Sequence, residues 1–158
     1  MKDGRPHIMV EMLSNPVYLS GARQLVSSVA QRLGFDEVAC SQIALAVDEA
    51  LCNVIRHGYD RAVDRPIWLS LWPVEEGKGG LRIVIEDEAK QVDVDAIKSR
   101  KLEDVRPGGL GVHIIREVMD EVKYERREGA GMRLTLVKRV PMTAGPKATP
   151  KCERGCDG

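Results

Sequence analysis

The sequence predicts an α/β fold, a two-layer α/β sandwich whose mixed, mostly antiparallel sheet carries its helices on one face. Three observations carry that prediction. The apolar periodicity changes along the chain in the order strand, helix, helix, hairpin, long polar connection, helix, hairpin. The second helix is the most apolar and is expected to be the most buried. At 158 residues and 17.5 kDa, with no internal repeat, the chain is long enough for one core and too short for two.

Each element has its own justification. HIMVEML (7–13) alternates β-formers and reads as the first strand, closed by Ser14-Asn15-Pro16. From Val17, apolar residues such as Leu19, Ala22, Val26 and Ala30 recur at three and four, giving an amphipathic helix that Gly34 stops. Asp36 offers a cap for a second helix, rich in Ile43, Val47, Leu51 and Ile55, that runs to His57 and ends at Gly58. Pro66 opens the strand IWLSLWPV, EEGKGG makes a turn, and LRIVIED (81–87) returns, so 66–87 is an antiparallel hairpin. Trp68 and Trp72 share one face of their strand; core packing is the simpler expectation for them and a dimer surface the other. Residues 88–108 are polar and aperiodic, longer than a simple connection requires. The helix LGVHIIREVMDE follows the glycines directly, and KYERRE with GMRLTLVKRV closes the sheet as a hairpin across Gly129-Ala130-Gly131. Residues 1–140 thus form the domain, and the Pro/Gly/Thr-rich residues 141–158 are expected to be a disordered tail.

Composition narrows the function classes. The 43% hydrophobic and 30% charged residues are those of a soluble globular protein, and no apolar run is seen to approach the roughly 18 residues that span a bilayer. No signal peptide is recognised at MKDGRPHIMV, which predicts a cytoplasmic protein with no membrane partner. Lys+Arg and Asp+Glu are equal at 24 each, against the positive field that direct nucleic-acid binding needs. Four cysteines are too sparse for a disulfide or zinc framework, so reduced thiols are expected; Cys152 and Cys156 make a poor metal site without further ligands.

Three features carry chemistry. Glu49 and Asn53 lie four apart on the second helix and share a face, which His57 extends. Polar groups on so apolar a helix need partners. Hydrated magnesium, held by one or two protein oxygens plus substrate phosphates, suits the Asn53 carbonyl, and Glu49 is placed to take a proton from an attacking hydroxyl. Taken alone, that pair is a weak signal and fits an ordinary solvated helix face better. Asp87 ends an apolar strand and, when ionised, accepts without donating, as an exocyclic amine requires; a strand-end turn former is the other reading. In PGGLG (107–111) the glycines permit close backbone approach, and the helix start offers free N–H groups to phosphate, although such a loop can also be a plain connection.

ALAVDEALCNVIRHGYD and GGLGVHIIREVMDEVKYERREGAGMRLTLVKRV resemble the Asn-bearing helix, glycine box and closing hairpin of the ATPase domain shared by histidine kinases and gyrase. The resemblance runs from about Ile8 to Val140 and is specifically to the anti-sigma-factor serine kinases of bacterial partner-switching systems. It implies ATP and magnesium as cofactors, Glu49 as catalytic base, Asn53 as magnesium ligand and Asp87 as adenine reader. It further implies Gly108, Gly109, Leu110 and Gly111 as the lid over the phosphates, and Thr135 on the strand beside the adenine pocket. In this family the first helix contributes to docking, which singles out Arg23. The implied partners are a STAS-domain anti-anti-sigma protein and a sigma factor, with a homodimer possible by the same resemblance. One departure stands out: the family's D-x-G pattern reads Asp87-Glu88-Ala89 here. An alanine forced to positive φ would strain the ATP-binding turn by roughly 1 kcal/mol or more. Two functions follow: a serine-protein kinase and anti-sigma factor, or a non-catalytic nucleotide-binding switch, which Ala89 favours.

Overall fold

The computed structural model describes residues 4–98 and 110–142. Gly108, Gly109 and the tail from residue 143, with Cys152 and Cys156, lie outside the described residues. Strand β1 (Ile8–Leu13) leads through a 3-10 turn (Pro16–Tyr18) into α1 (Leu19–Arg32). The Asn15 side chain accepts the Val17 N–H at 3.1 Å, and Gly34 takes φ +98 past the helix end, the stop expected from its position. Helix α2 (Glu37–Asn53) is capped by Asp36, whose Oδ1 accepts the Ala39 N–H at 2.8 Å. The segment predicted as one helix to His57 changes character after Asn53: Val54–Gly58 forms a π turn, closed by the Tyr59 N–H on the Val54 carbonyl at 2.8 Å.

Strands β2 (Pro66–Val74) and β3 (Gly80–Asp87) form the expected hairpin. A short helix α3 (Val94–Lys98), unforeseen in the aperiodic segment, follows; α4 (Leu110–Val118), β4 (Glu121–Arg126) and β5 (Met132–Arg139) complete the chain. The last helix ends three residues short of the predicted Glu121, because Asp120 already joins the sheet: its N–H donates to the Val137 carbonyl at 2.9 Å and its Oδ2 accepts the Arg139 N–H at 2.7 Å.

The sheet order is β1-β2-β3-β5-β4, and every pairing is antiparallel, so the parallel component of the expected mixed sheet is not found among the described residues. Alternate residues of the central strands, including Leu69, Ile83, Ile85 and Leu136, are buried under α2, which contributes Ile43, Val47 and Leu51 from its own fully buried stripe. Each such side chain stabilises the fold by about 1.5–3 kcal/mol. The helix and its π turn, Glu37–Gly58, are long and apolar enough at 22 residues to cross a membrane by composition alone, which corrects the expectation that no segment reaches that length. Packing against α1, α4 and the sheet accounts for that apolarity as a core helix's.

The tryptophans depart from expectation. Ile67, Leu69 and Leu71 take the core side of β2, so Trp68 and Trp72 lie half-buried on the opposite face. Each carries a guanidinium over its ring, Arg127 at 5.0 Å from Trp68 and Arg82 at 4.5 Å from Trp72.

Candidate functional site

A cleft of about 1000 Å³, counting its open mouth, lies between α2 with its π turn, the end of β3, α3 and the β4–β5 hairpin. The core pattern builds it: Ile85 and Leu134 line its base from the two central strands, Ala50 and Val54 line one side from α2 and the π turn, and Ile97 lines another from α3. Against this apolar lining stand Asn53, His57, Asp87, Lys90 and Asp93.

Asp87 is 5% exposed. Its Oδ1 accepts two backbone N–H groups, from Ala89 at 2.8 Å and Met132 at 3.1 Å. Desolvation raises its pKa, against the opposing pull of those two donors and of Arg127. Both bonds fall on one oxygen, which leaves Oδ2 for a donor in the cleft. Around it the backbone is clamped. Tyr59 donates its hydroxyl to the Pro66 carbonyl at 2.5 Å and accepts the Glu88 N–H at 2.7 Å, and Arg127 Nη1 donates to the Asp87 carbonyl at 2.6 Å. Gly131 has φ +89, and a Cβ there would stand 1.8 Å from the Asp87 carbonyl oxygen, so the hairpin approaches as only glycine allows.

Ala89 lines the cleft at 5% exposure and is not among the positive-φ residues, so the strain feared for it is absent. Its methyl fills the space a Gly58 side chain would need, 2.9 Å from that ideal Cβ.

The structure brings Asn53, Asp87 and Ala89 to one cleft. Glu49 is half-buried one turn before Asn53 and does not line it. Leu110 and Gly111 open α4, whose Val112 reaches the cleft. Arg23 stands apart on α1, its Nη1 3.6 Å from Asp48 Oδ1. Thr135 is misplaced by the expectation: it pairs with Val84 between the inward Leu134 and Leu136, so strand alternation turns it to the face away from the cleft. Met132 and Leu134 hold the cleft positions on β5, and the alternation of Leu134 and Leu136 was the sequence signal for that parity. Tyr59 lies inside the motif ALAVDEALCNVIRHGYD and Arg127 inside the closing hairpin, but neither was singled out, because their bonds to the Asp87–Glu88 backbone are long-range.

No group of three or more His, Cys, Asp or Glu side chains able to cage a metal occurs among the described residues. The donor set fits a magnesium ion carried in with phosphates, with Asn53 as its protein oxygen, better than a metal held by protein alone. The cleft's chemistry, one buried acceptor in an apolar slot, likewise fits a flat heteroaromatic base bearing an amine.

An antiparallel five-stranded sheet with helices on one face, and a cleft between the core helix and a strand-end carboxylate, defines a histidine-kinase-like ATPase domain. The family model for that domain matches residues 12–138. A serine-protein kinase RsbW of Halalkalibacterium halodurans is 30% identical over 77% of this chain and 75% of its own length. That of Bacillus subtilis is 24% identical over 85% and 88%. The chain belongs to the histidine kinase-like ATPase family and, within it, to the serine-protein kinase family of these relatives, the anti-sigma-factor kinases its motifs resemble. A crystal structure of RsbU and RsbW domains from Mycobacterium tuberculosis has the same fold, with a TM-score of 0.56 at 17% identity over 84% of this chain and 31% of that one.

Proposed function

We propose that this chain is a cytoplasmic, ATP-dependent serine-protein kinase and anti-sigma factor, which phosphorylates a STAS-type anti-anti-sigma protein and sequesters a sigma factor when that protein is unavailable. The observation that carries the reading is the convergence of Asn53 from the core helix and Asp87 from the strand end on one apolar cleft. In this reading Asp87 Oδ2 accepts the adenine amine, Asn53 holds magnesium, and the start of α4 faces the phosphates. Bound magnesium supplies neutralisation of the phosphate charge. Glu49, outside the cleft and one turn along the same helix, accepts the proton of the partner's serine hydroxyl as its oxygen attacks the γ-phosphorus, and the bond to the β–γ bridging oxygen breaks to release ADP.

Arg23 supports a docking role for α1. It is 47% exposed on its side chain and paired to Asp48 of α2, the helix that carries the proposed base, so it is open to a partner that docks on α1. The non-catalytic alternative leaned on Ala89, and an unstrained Ala89 whose N–H braces Asp87 no longer favours it. The test is transfer of labelled γ-phosphate to a STAS-domain partner. Wild type is expected to transfer, while Glu49→Ala loses at least about a hundredfold in rate and still binds nucleotide. Equal transfer by both proteins would sink the assigned base, and no transfer by either, with nucleotide bound, would favour the switch.

A further inference from the structure

We propose that Arg127 is a positioning residue for nucleotide selectivity, fixing the angle at which Asp87 presents its free carboxylate oxygen. The inference rests on the reading of the cleft as an adenine site. Asp87 is gripped twice by the β4–β5 turn: Met132 donates to its carboxylate at 3.1 Å, and Arg127 Nη1 to its main-chain carbonyl at 2.6 Å. The residue is itself held at both ends. Its guanidinium centre lies 5.0 Å from the Trp68 ring with Nε 3.3 Å from Glu86 Oε1, and its main-chain carbonyl accepts Gln91 Nε2 at 2.7 Å. Trp68 and Glu86 face each other across β2 and β3, so this brace is anchored on the far side of the sheet and reaches over the strand end to the cleft.

Charge pairing alone does not explain the arrangement. Glu86 already has a second cation, Arg133, with Nε at 3.6 Å. What Arg127 adds is the bond to the Asp87 carbonyl, which sets the peptide plane from which the carboxylate projects. A hydrogen bond weakens steeply outside a narrow range of distance and angle, so a small rotation of that plane costs the amine contact and little else.

The experiment compares the affinity of the full chain for ATP and for inosine triphosphate, which carries a carbonyl where adenine carries its amine. Wild type should prefer ATP. Asp87→Asn should erase the preference, and Arg127→Met should reduce the ATP-to-inosine-triphosphate ratio by about tenfold, mostly through weaker ATP binding. Arg127→Lys keeps a cation but not the planar fork, and should fall between. Because the ratio is internal to each protein, general loosening moves both affinities and leaves it unchanged. An unchanged ratio in Arg127→Met beside a collapsed one in Asp87→Asn would overturn this inference alone. An unchanged ratio in Asp87→Asn would overturn the adenine reading beneath it.

Discussion

Asp87 sits where a carboxylate is costly. Burial pushes its pKa above the ordinary 3.8, and the Ala89 and Met132 N–H groups recover part of the cost. The sign of the pH dependence follows. The folded carboxyl binds its proton more readily than the unfolded one, so acidification between the two pKa values favours the fold at this residue. A protonated Asp87 accepts less well from an amine, so ATP affinity should weaken as pH falls through the raised folded pKa, at higher pH than an exposed aspartate would cause. Titrating ATP affinity against pH in wild type and Asp87→Asn checks this; parallel curves would show that Asp87 does not read the base. Asp87 and Asn53, which the structure brings to one cleft, were readable as candidates because their signals are local: a carboxylate closing an apolar strand, and a polar group on an apolar helix. Arg127 and Tyr59 act on residues 40 and 29 positions away, and nothing in the sequence marks such a contact. Thr135 fell on the wrong face through parity, since a single step along a strand exchanges cleft for far side.

At the scale of elements, the cleft depends on how closely the β4–β5 hairpin docks against the end of β3. Gly131 sets that distance, with positive φ and no room for a methyl against the Asp87 carbonyl. Gly131→Ala should therefore lower stability by roughly 2 kcal/mol or more, the sum of backbone strain and a forced separation. It should also weaken nucleotide binding beyond what Gly129→Ala does at a similar φ of +88 with open space around it. Denaturant unfolding of the two variants separates the shared strain from the clash, and equal losses would mean the hairpin yields freely. The hairpins and first two helices were readable because capping, glycine stops and period-two alternation are short-range effects. The π turn was not, because Val54–Gly58 continues the helical apolar pattern while its bonding widens. Nor was α3, whose five residues are too few to display a period.

For the whole molecule, the cleft joins parts of the fold that lie far apart in sequence: α2, the end of β3, α3 and the closing hairpin all contribute walls. The order of elements predicted the helices-on-one-face architecture, yet only the sheet order β1-β2-β3-β5-β4 brings the end of β3 against the start of β5, where Asp87 meets Met132. A ligand that touches all these walls binds only the folded chain, so its binding energy adds to global stability. At about a hundred times its dissociation constant, Mg-ATP should add about 2.7 kcal/mol, which for a chain of this size raises Tm by about 5 to 10 °C. Asp87→Asn should lose most of that rise while shifting its own unliganded Tm for separate reasons, so the quantity to compare is the increment on adding nucleotide. Glu49→Ala, which removes a group outside the cleft, should keep the full increment even where phosphate transfer is gone. If Glu49→Ala lost the increment as well, the base would have to be reassigned as part of the nucleotide site, and the separation of binding from transfer along α2 would fall.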